Sequence, residues 1–243
     1  MKVALMLHGL VGSMKGKHFQ KQGGTNDVLK HSYEFNKKNI IDQYDTDVFI
    51  HCWNDDLKQS IEDLYNPAIS IIEPQKDFEI PSWINAEKNR AFAHLSRWYS
   101  FKMAAAYCEM QYRLMGSRYD VYLIQRFDLI WNVIPEFPTI NGIYVGKSTL
   151  NPAVEWSDRW FAFSSLDDLR KFATLYDNLE HYMKNKDMLP SSKQYGGISS
   201  HYLTKFHAKQ YGLEPHFKYT FGGYGQSPND YNEVRRQIGG DDK

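Results

Sequence analysis

The run Tyr119-Asp-Val-Tyr-Leu-Ile-Gln-Arg-Phe-Asp128-Leu-Ile-Trp131 carries the strongest chemical signal in the chain. Its apolar stretch, Val121 to Ile124, reads as a buried strand that ends on Gln125, Arg126 and Asp128. Open α/β sheets place ligand sites at the carboxyl ends of such strands. A guanidinium there can meet anionic oxygens. A carboxylate can hold a divalent ion whose other ligands are water and phosphate oxygens. The plainer reading is that Arg126 and Asp128, two residues apart, only pair with each other.

A second group follows the first apolar run, Val3 to Leu7. It is His8-Gly9-Leu10-Val11-Gly12-Ser13, with Lys15 and Lys17 close behind. Glycines let backbone approach a ligand, and the lysines suit a diphosphate. Two rival motifs fail here. A P-loop needs one more residue of spacing, and His18 stands where Ser or Thr should follow the lysine. Leu-His-Gly-Leu-Val-Gly-Ser is similar to the oxyanion loop of α/β-hydrolases, but the chain contains no Gly-x-Ser-x-Gly elbow.

These groups must be positioned by an alternation of strands and helices. Val3–Leu7 reads as a strand buried on both faces. Asn26 or Asp27 is expected to cap a helix reaching Tyr44. Asp47–Trp53 reads as a second strand, and Asn54 as the cap of a helix to Tyr65. Ala68–Ile72 is a third strand. A long helix is expected from about Glu87 to Met115, stopped by Gly116, and the Arg126 strand follows it. The second half is more mixed. Strands are expected at Gly142–Gly146, Asp158–Phe163 and His216–Thr220. Helices are expected from Ser164 or Ser165 to about Asn185 and from Gly197 to Tyr211. Alternation in the first half argues a mostly parallel α/β sheet flanked by helices. The chain from Gly225 reads as a polar tail.

The segment Ser96-Arg97-Trp98-Tyr99-Ser100-Phe101-Lys102, then Gly116-Ser-Arg-Tyr-Asp120, the apolar strand and Arg126-Phe-Asp128-Leu resembles a signature of bacterial and large-virus glycosyltransferases of the GT-A type. Asp158-Arg-Trp-Phe-Ala-Phe-Ser164 is similar to their second signature, and the resemblance covers most of residues 1–205. It departs at one position: Arg126 stands where the family's Asp-x-Asp has its first acid. The resemblance implies a single GT-A domain over 1–224, with a nucleotide-sugar half to residue 131 and an acceptor half after it. It implies a nucleoside-diphosphate sugar donor, a glycan or other carbohydrate acceptor, and Mn²⁺ or Mg²⁺ as cofactor. His8, Gly9, Leu10 and Ser13 would hold the nucleotide, and Arg97 and Arg126 the diphosphate. Asp128 would anchor the metal, and Asp158 would face the reacting centre. His201, or His216 in the same region, would supply a metal ligand. Lys102, Lys193, Tyr195 and Lys218 are weaker candidates for the diphosphate. Each has an ordinary reading as a solvated charge, an ion-pair partner or a polar surface residue. Two other function classes remain open: a nucleotidyltransferase or nucleotide-sugar hydrolase on a similar sheet, and a catalytically silent nucleotide- or carbohydrate-binding module.

Composition sets the outer limits. The 243 residues suffice for a full core, and a hydrophobic share of 42% marks a globular chain. Basic and acidic residues balance at 29 each, which gives no global attraction to nucleic acid or an anionic membrane. Aromatics reach 15%, suited to sugar and base faces or to a large aromatic core. Cys52 and Cys108 lack metal-ligand spacing and suit a reducing compartment. The first residues read as a strand rather than a signal peptide, and no apolar run is long enough to cross a membrane. A cytoplasmic protein is expected.

Overall fold

The computed structural model describes residues 1–12, 25–82, 88–131, 141–147, 156–184, 200–220 and 231–233. For residues 88–90, 131, 146–147, 156–158, 201, 219–220 and 231–233 it describes the backbone alone.

A seven-stranded sheet runs in the order β3-β2-β1-β4-β7-β6-β8. Its left half is parallel: β1 (Lys2–Gly9) lies between β2 (Asp45–Cys52) and β4 (Val121–Arg126), and β3 (Ile69–Ile72) flanks β2. On the right, β7 (Trp156–Phe163) runs antiparallel to both β4 and β6 (Ile143–Lys147), and β8 (Phe217–Thr220) is parallel to β6. The mixed second half follows from that single reversed strand.

Helices cover both faces. Side chains alternate along β1: Val3, Leu5 and Leu7 pack with Val28, Leu29, Ile61 and Tyr65 of α1 (Asn26–Asn36) and α2 (Lys58–Tyr65). Ala4 and Met6 pack on the other face with Trp98, Phe101 and Cys108 of α3 (Lys88–Met115). The same core takes in Leu169 and Phe172 of α4 (Leu166–Ala173), Leu179 of α5 (Leu175–Lys184) and Leu203 of α6 (Ser200–Gln210). No described helix is long and apolar enough to cross a membrane.

Several local expectations shift. Thr25, not Asn26 or Asp27, caps α1 by accepting from the Val28 N–H. The helix expected to reach Tyr44 loosens after Asn36 into a π turn, Lys37–Ile41. The helix expected to reach Asn185 is broken at Thr174, whose hydroxyl donates to the Lys171 carbonyl. Gly116 ends α3 at φ +64, a left-handed value that glycine reaches without cost. The chain after Gly225 is not wholly a tail. Tyr231–Glu233 forms β9, antiparallel to β5 (Leu129–Trp131), the strand that leaves Asp128.

His207 is fully buried between helices. Its Nδ1 accepts from the Tyr182 hydroxyl at 2.8 Å, and its Nε2–H donates to the Lys171 carbonyl at 3.1 Å. Burial disfavours the imidazolium and lowers its pKa from 6.5 to about 4. The unfolded chain therefore takes up this proton first. The stability of the neutral form is complete above pH 6.5 and is lost as pH falls towards about 4. Melting temperature should drop across that window, with a limiting slope of about 1.4 kcal/mol per pH unit from this one proton. His207→Gln should flatten that acid limb. His51, shifted the same way, will keep part of it.

Candidate functional site

The strand order reverses between β1 and β4. From β1 the chain moves outward through β2 to β3. It then returns along α3, on the opposite face from α1 and α2, to pair β4 with β1. The loop leaving β1 and the residues that follow β4 both turn to the α1 face, where Val11, Phe127 and Leu129 share a core with Val28, and they meet at the carboxyl edge where open sheets place ligands. His8 pairs with Arg126 in the ladder at that edge. Both lie on the α3 face by alternation from Met6 and Ile124.

Arg126 and Asp128 form a bidentate pair. Arg126 Nε donates to Asp128 Oδ1 at 2.7 Å, and Nη2 donates to Oδ2. Asp128 is only 7% exposed, so the carboxylate is buried rather than on the surface. The loop from β1 is seated on it. A Cβ added to Gly12 would stand 3.4 Å from Asp128 Cβ and 3.9 Å from Val28 Cγ1, and φ there is +89. A side chain at position 12 would thus be strained by its positive φ and would stand in contact with Asp128. The Val11 N–H is fixed by Asn54 Oδ1 at 2.9 Å. Asn54 does not cap its own helix as expected. Residues 55–57 form a single 3₁₀ turn before α2, and Asn54 makes no side-chain cap.

One buried node ties α3 to this edge. Ser100 Oγ accepts from the Gly9 N–H at 2.7 Å and meets His51 Nδ1 at 2.8 Å. His51 Nε2 lies 3.2 Å from Glu73 Oε1. Burial lowers the His51 pKa, and Glu73 pulls the other way. These partners assign the neutral ring's proton to Nε2, facing Glu73, so that Nδ1 accepts from the Ser100 hydroxyl. The His51 carbonyl, 3.1 Å from Ser100 Oγ, is a second acceptor for the same hydroxyl. The arrangement has the residue types of a nucleophilic triad. However, Ser100 and His51 are both 0% exposed, and Ser100 Oγ already accepts a backbone N–H. Its work is structural. Phe101, the next residue of α3, packs edge-on against His8 with ring centroids 5.3 Å apart.

Arg97 lies one helical turn before Ser100 and Phe101, so it stands over the carboxyl ends of the central strands. Its guanidinium packs 4.9 Å from the Trp98 ring. The structure thus brings His8, Gly9, Arg97, Arg126 and Asp128 to one end of the sheet. Leu10, 37% exposed, follows them on the rim.

The backbone of Asp158 lies at this same end. It precedes Trp160, the β7 partner of Gln125, in a strand antiparallel to β4. His201 is the second residue of α6, whose first residue, Ser200, bonds His94 Nδ1 of α3 at 2.9 Å. The side chains of Asp158 and His201 lie outside the described residues, as do Ser13, Lys15, Lys17, Lys193 and Tyr195 entirely.

Four candidates are placed elsewhere. Gln125 points to the α1 face and donates to Asn36 Oδ1 at 2.8 Å in a buried network with Tyr65. His216 precedes β8 at the opposite, amino end of the sheet, where it bonds Asp168 at 3.0 Å; Lys218 follows in that strand. Lys102 pairs with Asp177 at 2.5 Å. The described aromatics are chiefly core: Trp53, Trp98 and Trp160 are at most 3% exposed. Trp53 stacks on Tyr99 at 5.6 Å behind the carboxyl ends of β2 and β3.

A divalent ion finds no donor set among the described residues. No group of three His, Cys, Asp or Glu side chains converges there, and both oxygens of Asp128 face Arg126. Those residues do not fit the ion. The buried free thiols of Cys52 and Cys108 do not suit one either, because burial raises both, Cys52 to about 12.

No protein-family model matches the sequence, and no curated protein matches it. Among solved structures, the chain is similar to a glycosyltransferase involved in the glycosylation of the major capsid of PBCV-1, at 8% identity and TM-score 0.42. The likeness covers 90% of this chain and 81% of that one. A likeness of that degree decides nothing about chemistry.

Sequence pattern could not pair Ser100 with His51, although both are polar residues on otherwise apolar faces. Ser100→Ala removes the acceptor of Gly9 N–H and the partner of His51 Nδ1. It should cost about 1–3 kcal/mol, read as a lower urea midpoint at unchanged m-value.

Proposed function

We propose that this chain is a glycosyltransferase of the GT-A type, which moves a sugar from a nucleoside-diphosphate donor to a carbohydrate hydroxyl. The observation that carries the reading is the β1–β4 switch point. There His8 and Arg126 sit side by side, and the glycine-bearing loop rests on Asp128. The Arg126–Asp128 pair and Arg97 lie at the end of the sheet where such folds receive phosphates. The sequence signatures quoted above run through the same two elements, α3 and β4.

In this reading the Gly9–Gly12 turn brings backbone close to the nucleotide's phosphates. Leu10 lies in the same turn, and Ser13 is proposed to contact the nucleotide with it. The acceptor hydroxyl oxygen forms a bond to the anomeric carbon as the bond from that carbon to the diphosphate oxygen breaks. The leaving group takes the electron pair, and negative charge gathers on the diphosphate. Fixed guanidinium groups stabilise that charge without reorganising. Asp158, whose backbone is at the same sheet end, is proposed to face the acceptor, where a carboxylate can take the hydroxyl proton. His201 is proposed to approach the diphosphate from α6. A divalent ion would add Lewis-acid stabilisation, but no step is assigned to it, because the described residues do not fit one.

A nucleoside diphosphate at about a hundredfold excess over its dissociation constant should stabilise the fold by about 2.7 kcal/mol, seen as a rise of several degrees in Tm. Labelled nucleotide sugars should then release sugar in proportion to enzyme. No thermal shift with any nucleoside diphosphate would sink the transferase reading. A shift without sugar release from any donor would leave a silent binding module.

A further inference from the structure

We infer that Asn54 and Ser100 are positioning residues for the nucleotide. They take the Val11 and Gly9 amides of the loop after β1, and so leave the Leu10 and Gly12 amides as the donors that meet the diphosphate's oxygens. This rests on the nucleotide-sugar reading and deepens it.

The loop is anchored at alternate residues. Gly9 N–H donates to Ser100 Oγ at 2.7 Å, and Val11 N–H donates to Asn54 Oδ1 at 2.9 Å. Two carbonyls are held as well. Trp53 N–H donates to the Gly9 oxygen at 3.2 Å, and Thr25 N–H, at the cap of α1, donates to the Gly12 oxygen at 3.1 Å. Asn54 and Ser100 are 2% and 0% exposed, so neither is a surface side chain that happens to reach the loop. Each is fixed by a further bond. Asn54 Nδ2 donates to Asp56 Oδ1 at 3.2 Å, and Ser100 Oγ meets His51 Nδ1 at 2.8 Å.

The amides left over are also alternate. Among the described residues, neither the Leu10 N–H nor the Gly12 N–H has an acceptor. They are two residues apart, at most about 7 Å along the chain, so one diphosphate can reach both. Phosphate oxygens only accept hydrogen bonds, and backbone N–H groups held in a turned loop suit them. Positive φ at Gly9 (+91) and Gly12 (+89) makes the turn, and a Cβ at Gly9 would meet nothing within 4 Å. The carboxylate that stands against Gly12 is that of Asp128, and its pairing with Arg126 weakens its repulsion for an anion. The donors are neutral amides, so nothing further is asked of either arginine. A loop already fixed by Asn54 and Ser100 loses less freedom when the nucleotide binds.

Amide hydrogen exchange of the full chain, read residue by residue by NMR, tests this. In the free protein Gly9 and Val11 should exchange slowly, and Leu10 and Gly12 fast. Saturating UDP, GDP, ADP or dTDP should slow Leu10 and Gly12 by at least about tenfold. Inorganic pyrophosphate should slow the same two amides, and the bare nucleosides should not. Asn54→Leu removes the Val11 acceptor at similar volume. Measured well below its Tm, it should weaken nucleotide binding by at least about tenfold, because the loop must then be ordered on binding. Ser100→Ala should do the same through Gly9. The exchanged pair Asn54→Asp/Asp56→Asn keeps an oxygen for Val11, and should recover wild-type affinity within about threefold. A role in stability alone would lower Tm and leave affinity unchanged in all three. A nucleoside diphosphate that binds without slowing Leu10 and Gly12 overturns this inference and leaves the transferase reading in place. So do bare nucleosides that protect these amides equally, or single variants that bind like wild type. No binding of any of the four nucleotides overturns both.

Discussion

The buried hydroxyl of Ser100 is the contact on which this architecture turns. It joins the last amide of β1 to the ring of His51 on β2, and it does so from α3, the helix that carries the chain from β3 across to β4. In a low-dielectric interior an unmatched polar group is costly. Ser100 and His51 thus lock the helix in one axial position relative to the strands, because only there are both satisfied. Apolar packing of Trp98 and Phe101 would tolerate sliding more readily than this geometry does. The carboxyl ends of β1 and β4 inherit that precision, since Phe101 touches His8 and Arg97 sits one turn above.

The second constraint is the Arg126–Asp128 pair. At 7% exposure the carboxylate has lost most of its water, and the bidentate guanidinium replaces it. Such a pair contributes little net stability, because desolvation offsets much of the attraction. Its value is directional. It holds a planar cation still at the carboxyl edge of the sheet, beside the loop at Gly12. The pair is therefore at once the plain ion pair expected of residues two apart and a buried feature of the carboxyl edge of β4.

Much of the α/β alternation was legible because strand and helix periods are local properties. Val3–Leu7, the 28-residue α3 and the strand ending on Arg126 all follow from apolar pattern and from Gly116 as a stop. Boundaries failed where side chains had a better partner elsewhere. Asn54 looks like a helix cap but is drawn to the Val11 amide. Gln125 looks like a site residue because it adjoins Arg126, yet strand alternation turns it to the opposite face and Asn36. His216 resembles a C-terminal ligand in sequence, but β8 runs parallel to β6 and puts it at the far end. The polar stretch after Gly225 hid β9, whose stabilising partner, β5, is about a hundred residues away in the chain.

The sequence by itself determined the elements and the two groups that could do chemistry, the His8–Ser13 loop and Arg126–Asp128. Residue type, period and glycine placement act over a few positions, so they can be read without a fold. Only the tertiary structure decided that these groups meet. The order β2-β1-β4, with α1 and α3 on opposite faces, sets His8 beside Arg126 and brings Gly12 against Asp128. It also decided that the carboxylate's oxygens belong to Arg126. Which partner a charge finds depends on distances between segments that a linear chain leaves unspecified.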